Sequence, residues 1–468
     1  MPIFWRRGLS SSLQGRIHLS CRRQPHFAAN DALGSKIVTT PTQRYSNTNE
    51  AAVLTNSVGK CVARVSATEI ELSLTDGIIV RGQRWTHCNH SQKEHQTAAA
   101  DIDENPGQQA ASVTTTTNPN TTRILALHGW LDNCRSFYCL APRLIEKLGT
   151  QVEIIAIDLP GHGRSSHRPI DGPTTVLSEG AYYIAEILDV LGWGGGTKSI
   201  GSNKDKINKN NEDETKVTLI GHSMGGGMAV TYAGVFPEQI ESVVSLDMFG
   251  PEPGKPQDAA AQIRSHVVQR RGFGPSGRPH FLYPSLERAI ERRVKAAQMA
   301  PGGHQYLSLE ASTELVTRST MPVYDTASDD DDGDKDDETI PKGYRFRHDA
   351  RMMWPSLQYL TAEQIESILE RVDCRVCLLA AEDGYPFPQE RIDRALAHLE
   401  PEMYEVLPGS HHFHADPDTA GAVVDKICEF FGGNNNNAMN NSEKGKTTRE
   451  EKRKAKPSHE TVANYGMQ

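Results

Sequence analysis

The sequence lacks several features that would assign it to common non-enzymatic classes. No uninterrupted apolar run approaches the roughly 18–20 residues of a membrane-spanning helix, so we expect no transmembrane segment. The net charge of −9 comes mostly from one segment, 325–338, which holds nine acids and one lysine. Because the remainder of the chain is nearly neutral, no basic surface indicates nucleic-acid binding.

Cysteine is scarce, and its spacing does not fit a zinc site. The 468-residue chain has eight cysteines, of which Cys374 and Cys377 form the only CxxC pair. No second pair completes a four-cysteine site, so we interpret this pair as part of a buried strand. Another group of possible ligands lies in a polar segment with no apolar frame to hold it: His87, Cys88, His90 and His95. The sequence therefore predicts neither a metal nor a cofactor.

The polar residues are concentrated outside a compact core. Residues 1–30 contain five arginines and no acid, so 1–60 is interpreted as a mitochondrial transit peptide or disordered segment, with a cytoplasmic protein as the alternative. Low complexity predicts disorder in the inserts 87–122, 194–215 and 325–340 and in the tail 432–468. What remains is a core of the size of one large α/β domain, 61–249 and 357–431, interrupted by a helical lid at 250–356.

Short apolar runs alternate with helical periodicity along this core. A hairpin-like pair at 63–74 and 78–85 flanks an Asp-Gly turn, and six buried runs follow, at 124–129, 152–163, 217–227, 240–250, 374–384 and 403–412. Helical spacing is clear at Ile184, Ile187, Leu188 and Leu191. The pattern predicts an α/β fold with a mostly parallel eight-stranded sheet and helices on both faces. The lid is expected to contain helices near 258–271, 285–299 and 306–319 and no strand.

The segment Gly221–Gly225, GHSMG, matches the GxSxG pattern of a nucleophile. It follows a buried strand and precedes a helix-like run, which is the arrangement of a nucleophile elbow. Ser223 at the apex would adopt a strained backbone, and glycines two positions away would prevent a clash. We therefore predict Ser223 as a catalytic nucleophile.

A serine nucleophile needs a base and an acid, and the sequence offers rivals for both roles. His411 follows a turn after the last strand and is the preferred base, with His412 as the alternative and His414 as a structural neighbour. Asp383, after the penultimate strand, is the preferred acid, and Asp247 is the alternative.

An oxyanion hole requires two donors beside the nucleophile. The N–H of Met224, at the start of the helix, is one candidate. The other comes from Trp130 in the segment LHGWLDN, which follows the strand at 124–127.

These segments resemble the α/β-hydrolase superfamily, and more narrowly the serine hydrolase-like proteins related to epoxide hydrolases and haloalkane dehalogenases. LALHGWLDN, AIDLPGHGRSSHRP, LIGHSMGGG, YRFRHDARMMWPS and GSHHFH occur in the order that this resemblance expects. It implies Ser223 as nucleophile, His411 as base and Asp383 as the acid. Epoxide hydrolases and dehalogenases carry Asp at the nucleophile position, so the serine here disfavours their chemistry.

The predicted reaction is hydrolysis of a carboxylic ester or thioester of a small or medium apolar substrate. A carbon–carbon bond hydrolase or an acyltransferase would use the same triad, and a non-catalytic ligand-binding member of the superfamily is a third alternative. A small-molecule ester is the expected partner, and the sequence does not indicate an oligomeric state.

Overall fold

The structure is a computed structural model that describes residues 65–87, 121–169, 176–194, 216–299, 305–324, 340–357 and 359–437. The predicted transit peptide, nearly all of the inserts 87–122, 194–215 and 325–340, and most of the tail lie outside these ranges. The clusters described below concern the described residues alone.

An eight-stranded sheet forms the centre of the molecule. Its strands are β1 (Val65–Ser73), β2 (Ile79–His87), β3 (Thr122–Leu127), β4 (Val152–Ile157), β5 (Val217–His222), β6 (Ile240–Leu246), β9 (Arg375–Asp383) and β10 (Met403–Ser410). The spatial order is β1-β2-β4-β3-β5-β6-β9-β10. The pairs β1–β2 and β2–β4 are antiparallel, and all the other neighbours are parallel. This confirms the predicted mostly parallel sheet and its initial hairpin.

Helices cover both faces of the sheet. They are α1 (Leu140–Leu148), α2 (Val176–Leu191), α3 (Met224–Val235), α4 (Ala259–Phe273), α5 (Leu286–Gln298), α6 (Leu309–Ser319), α7 (Ala362–Leu369), α8 (Gln389–Leu399) and α9 (Ala420–Asn437). Alternate residues of β3 point to opposite sides: Leu125 packs in the cluster under α2 and α3, and Ile124 in the cluster under α1 and α9. Because both faces are covered, β4 and β5 are buried along their whole length, as their continuous apolar runs predict.

A long insertion separates β6 from β9, although these two strands are neighbours in the sheet. It contains α4, α5 and α6 close to the predicted helical positions. The expectation that it has no strand is wrong, because β7 (Thr320–Val323) and β8 (Gly343–Phe346) form an antiparallel pair. Each strand has four residues and they flank the acidic segment, so neither is long enough to produce a visible alternation.

The parallel strands bring their carboxyl ends to one edge of the sheet. Leu127 of β3 is the register partner of Gly221 in β5, and Leu246 of β6 is the partner of Leu379 in β9. The segments that follow these strands therefore lie side by side, where sites in such sheets are found. In the described part of the chain, no helix has the length and apolar character needed to cross a membrane.

Candidate active site

Ser223 lies at the sharp turn between β5 and α3. Its φ of 52° and ψ of −118° fall outside the regions that non-glycine residues usually adopt. The turn is held from both sides, since Ser223 N donates to Leu246 O at 3.0 Å and Gly227 N donates to Ser223 O at 3.1 Å. A strained residue fixed in this way is a common feature of functional sites.

The glycines around Ser223 are required by close packing. A Cβ on Gly221 would lie 2.3 Å from Gly225 O, and one on Gly225 would lie 2.1 Å from Leu127 O. Both distances are far shorter than any van der Waals contact. The two glycines therefore let the start of α3 approach the ends of β3 and β5. This agrees with the prediction that any larger residue at these two positions would clash.

His411 contacts a buried carboxylate. Its Nδ1 lies 2.5 Å from Oδ2 of Asp247, the residue that follows β6. Asp247 is 1% exposed and adopts a φ of 47°. Its carboxylate also accepts hydrogen bonds from Ala381 N at 3.1 Å and Tyr385 N at 2.8 Å. Main-chain donors from the next strand thus fix the carboxylate that orients the imidazole.

The preference for Asp383 as the acid is wrong for this structure. Asp383 ends β9 with an exposed side chain, and the carboxylate on His411 belongs to Asp247, the alternative acid. Gly384 explains part of the difference, because a Cβ there would lie 2.4 Å from Asp247 Oδ1. The segment after β9 therefore contributes space and the N–H donor of Tyr385 to the carboxylate of Asp247.

The loop after β3 lies against the same turn. A Cβ on Gly129 would lie 2.9 Å from Nδ1 of His222, the residue before Ser223. Trp130 follows, and Leu131 has a φ of 63°, so the chain turns sharply here. The structure therefore brings the loop that carries Trp130 next to the start of α3 at Met224, as an oxyanion hole built from these two residues requires.

His412, the alternative base, has a different partner from His411. Its Nε2 lies 3.0 Å from Oδ2 of Asp132, in the loop after β3. Arg293 of α5 donates through Nη2 to Asp132 Oδ1 at 2.6 Å, and the same nitrogen lies 3.3 Å from His412 Nε2. The insertion thus contacts both the candidate oxyanion loop and the histidine loop through one guanidinium.

The pKa values of Asp132 and His412 are shifted by burial and by the charge of Arg293. Burial on its own would raise the pKa of Asp132, but the charges of His412 and Arg293 hold that pKa well below its usual value. Burial lowers the pKa of His412, although Asp132 opposes that effect. Asp132 is therefore ionised and paired across the physiological range.

His222 and His414 complete a set of packed imidazoles. The His222 ring centroid lies 4.6 Å from that of His411 and 4.2 Å from that of His414. His222 Nε2 donates to His411 O at 2.8 Å, and His414 Nε2 lies 2.7 Å from Ser136 Oγ. Burial, followed by the neighbouring imidazoles, lowers the pKa of both His222 and His414 well below the usual value. His414 is thus a structural neighbour, as predicted.

One group of described residues has the composition of a metal site. Asp132, His222 and His412 each offer one ligand atom, and these atoms lie within 4.8 Å of one another. Arg293 already contributes a positive charge to the same carboxylate at 2.6 Å. We therefore interpret the group as an ion-pair network.

Comparison with known proteins decides the family. A family model described as the alpha/beta hydrolase family matches residues 124–426, a span that includes Ser223, Asp247 and His411. The chain belongs to the alpha/beta hydrolase family. This membership confirms both the predicted resemblance and the predicted fold class.

Individual relatives of this alpha/beta hydrolase include two serine hydrolase-like proteins. One from Dictyostelium discoideum is 29% identical over 307 residues, covering 64% of this chain and 72% of the relative. One from Danio rerio is 28% identical over 316 residues, covering 64% and 79%. The solved structure of a hypothetical protein from Pseudomonas aeruginosa PAO1 superimposes with a TM-score of 0.55 at 26% identity, covering 78% of this chain and 99% of that chain.

A second ion network in this alpha/beta hydrolase lies away from Ser223 and His411. Arg318 of α6 donates through Nε to Asp158 Oδ2 at 2.8 Å and through Nη1 to Glu69 Oε1 at 2.8 Å. Asp158 is fully buried and also accepts from Cys134 N and Arg164 N, both at 2.8 Å. These contacts attach the insertion to β1 and to the segment after β4.

Sequence reasoning missed three residues that hold the site together. Asp132 lies in the motif LHGWLDN, two residues after Trp130, and this position in the motif is what could have indicated its role. Arg293 and Gln305 belong to the insertion, and no motif in the sequence indicates that either residue contacts the site. Gln305 Oε1 accepts from His411 N at 2.9 Å, and its Nε2 donates to Asp383 O at 2.8 Å.

Proposed function

We propose that this alpha/beta hydrolase is a serine hydrolase that cleaves a carboxylic ester or thioester of a small or medium apolar substrate. The observation that carries the proposal is the contact of His411 Nδ1 with the buried carboxylate of Asp247 at 2.5 Å, next to a serine held at a φ of 52°. A serine at a strained turn, an imidazole and a carboxylate that orients it together form a nucleophilic triad.

The reaction begins with attack on the substrate carbonyl. Because Asp247 occupies Nδ1 of His411, Nε2 is the nitrogen that takes the proton from Ser223 Oγ as the new C–O bond forms. The resulting tetrahedral oxyanion is stabilised by the main-chain N–H groups of Met224 and Trp130. The C–O or C–S bond then breaks, and the leaving group departs with the proton from His411.

Hydrolysis of the acyl-enzyme repeats these steps with water. A water molecule attacks the ester carbonyl of acylated Ser223 and gives its proton to His411 Nε2. The second tetrahedral intermediate collapses, Ser223 Oγ recovers the proton, and the carboxylic acid leaves. Asp247 stabilises the imidazolium that forms in each half-reaction, and no cofactor takes part.

Aromatic side chains beside the triad support an apolar substrate. The ring centroid of Tyr385 lies 5.9 Å from that of His411, and the Phe387 centroid lies 4.9 Å from Tyr385. Phe249 packs edge-on against Phe387 at 5.4 Å. Apolar walls with a few polar groups are the usual composition of small-molecule sites.

Labelling with a fluorophosphonate tests the nucleophile directly. Wild-type protein should be labelled and should hydrolyse p-nitrophenyl esters, and Ser223→Ala should do neither. The matched control is Ser367→Ala, which removes an exposed hydroxyl on α7 and should behave as wild type. Labelling that survives in Ser223→Ala would refute the assignment.

Wild-type protein that is not labelled but is stabilised by esters would favour a non-catalytic ligand-binding protein instead. A series of acyl chain lengths then defines the substrate. If the protein is labelled but hydrolyses no ester or thioester, the same triad should be tested on carbon–carbon bonds and acyl acceptors.

We also propose a mitochondrial location, supported by the arginines and the lack of acids in residues 1–30. The segment lies outside the described residues. A fluorescent protein fused after residue 60 should enter mitochondria, and the same fusion with the five arginines changed to glutamine should stay in the cytoplasm. Equal distribution of both fusions would contradict the proposal.

A further inference from the structure

One outer surface of the insertion combines exposed apolar side chains with exposed arginines. At the helical spacing of about 100° per residue, five residues of α4 fall within an arc of about 140° and together define what we call the α4 face: Ile263, Arg264, Val267, Val268 and Arg271. The three apolar members are 48%, 43% and 58% exposed, respectively. Neither arginine pairs with an acid in the described part of the chain.

The opposite side of α4 accounts for its attachment. His266 is 2% exposed, its Nδ1 donates to Pro355 O at 2.9 Å, and its ring lies edge-on to Trp354 at 5.7 Å. Arg270 stacks over the same Trp354 ring at 5.7 Å. The helix is therefore held through one narrow side, and its apolar β-branched residues are on the side that faces away from the protein.

Residues next to the α4 face are also exposed apolar side chains and arginines. Phe273 and Phe281 are 45% and 69% exposed, and the guanidinium of Arg278 lies 5.8 Å from the Phe273 ring centroid. A surface groove of about 390 Å³ at the end of α4 is lined by Arg270 and Arg271 over an apolar floor that includes Val267 and Leu357.

Charge distinguishes this surface from the rest of the chain. Residues 255–299 contain nine basic and three acidic side chains, a net charge of +6, in a chain whose net charge is −9. A helix with arginines among exposed aliphatic residues matches the surface of an anionic membrane, where the arginines meet lipid phosphates and the apolar residues enter the boundary below them. If the basic residues were distributed evenly over the surface, aliphatic residues and arginines would not be expected together on one helix face.

We propose that the α4 face docks on the surface of an anionic phospholipid membrane. The exposed side of α4 can lie along a planar surface, and the arginines supply the charge complementarity. The same insertion contacts the candidate active site through Arg293 of α5, so docking would hold that site close to membrane-dissolved esters. This last consequence rests on the proposed function, but the docking itself does not.

Vesicle co-sedimentation of the full-length Ser223→Ala protein tests docking independently of catalysis. We expect binding to vesicles of phosphatidylcholine with phosphatidylglycerol and much weaker binding to phosphatidylcholine alone. The variant Arg264→Glu/Arg271→Glu should weaken binding by at least about twenty-five-fold, since each arginine near such a surface contributes about fivefold. Ile263→Ser/Val268→Ser should weaken binding as well.

The matched control reverses two charges outside the insertion. Lys147 lies in the last turn of α1, where it pairs with Asp425 at the surface, and Lys216 directly precedes β5. Lys147→Glu/Lys216→Glu therefore changes net charge equally but leaves the α4 face intact. It should bind anionic vesicles within about twofold of the parent. If Arg264→Glu/Arg271→Glu does not fold by circular dichroism, Arg264→Gln/Arg271→Gln replaces it.

Absence of binding to anionic vesicles overturns the proposal, and an acidic protein partner would give this result. Equal losses in the control and in the α4-face variant overturn it too, because they show dependence on net charge alone. A failure of fluorophosphonate labelling bears on the proposed function and leaves the docking result unaffected.

Discussion

Replacing Arg293 with methionine removes a guanidinium of the insertion that contacts both loops of the candidate site. Asp132 is 2% exposed, and Arg293 Nη2 donates to its Oδ1 at 2.6 Å. Removing one member of a buried pair usually costs about 3–5 kcal/mol. Arg293 retains 22% exposure and His412 remains on Asp132 as a second partner, so we expect a loss of about 2 kcal/mol in the free energy of unfolding.

The assay is urea denaturation of Arg293→Met, Asp132→Asn and the double variant. Near- and far-ultraviolet circular dichroism transitions must coincide before a free energy is derived. If Arg293 acts through Asp132, the double variant should be about as stable as Asp132→Asn alone, giving a coupling energy of about 1–2 kcal/mol. Arg293→Lys should restore part of the stability.

The same variants should affect the chemistry in a way that overall stability does not explain. Asp132 is two residues from Trp130, so loss of its ion pair should slow fluorophosphonate labelling under conditions where the variant is fully folded. Effects of Arg293→Met and Asp132→Asn that simply add, or an Arg293→Met protein as stable as wild type, would refute the reasoning.

Three further predictions follow from particular contacts. Asp247→Asn should lower kcat by about 10⁴-fold, and Asp383→Asn should stay within a few-fold of wild type; the reverse order in ester hydrolysis would restore Asp383 as the acid. Burial, followed by the charge of a neighbouring histidine, lowers the pKa of His348 from 6.5 to about 3, so the folded state resists its protonation. The contribution of His348 to the free energy of unfolding should therefore be fully present above about pH 6.5 and should fall by about 2 kcal/mol by pH 4.5, after a discount for the partial exposure of the ring. In urea denaturation, His348→Gln should lose this part of the pH dependence. Gly225→Ala should prevent stable folding, because its Cβ would lie 2.1 Å from a main-chain oxygen of β3, and Gly421→Ala, with no atom within 4 Å, should leave the thermal midpoint unchanged or higher.

The nucleophile elbow could be predicted because its determinants are local. A buried strand, a serine between two glycines and a helical run are all contained in residues 217–235. The same applies to β3 and β4, whose burial on both faces produces continuous apolar runs. Where the determinants are local in sequence, pattern and structure agree.

The acid could not be chosen from the sequence, because both candidates follow neighbouring parallel strands. Leu246 and Leu379 are register partners, so Asp247 and Asp383 reach the same edge of the sheet. The choice depends on the φ of 47° at Asp247 and on the N–H donors of Ala381 and Tyr385. None of these is visible in an apolar pattern, since they arise when two segments more than 130 residues apart pack together.

The three histidines near the end of β10 show how this packing divides roles among similar residues. His411 meets Asp247 from the neighbouring region of β6, His412 meets Asp132 from the loop after β3, and His414 meets Ser136. Each ring has a different partner, so their adjacency does not make them interchangeable bases. His411 is the ring whose partner is a carboxylate that main-chain N–H groups also hold, whereas the carboxylate next to His412 is shared with Arg293. An imidazole beside an already neutralised carboxylate gains less stabilisation when it takes a proton, which is why the geometry favours His411 as the base.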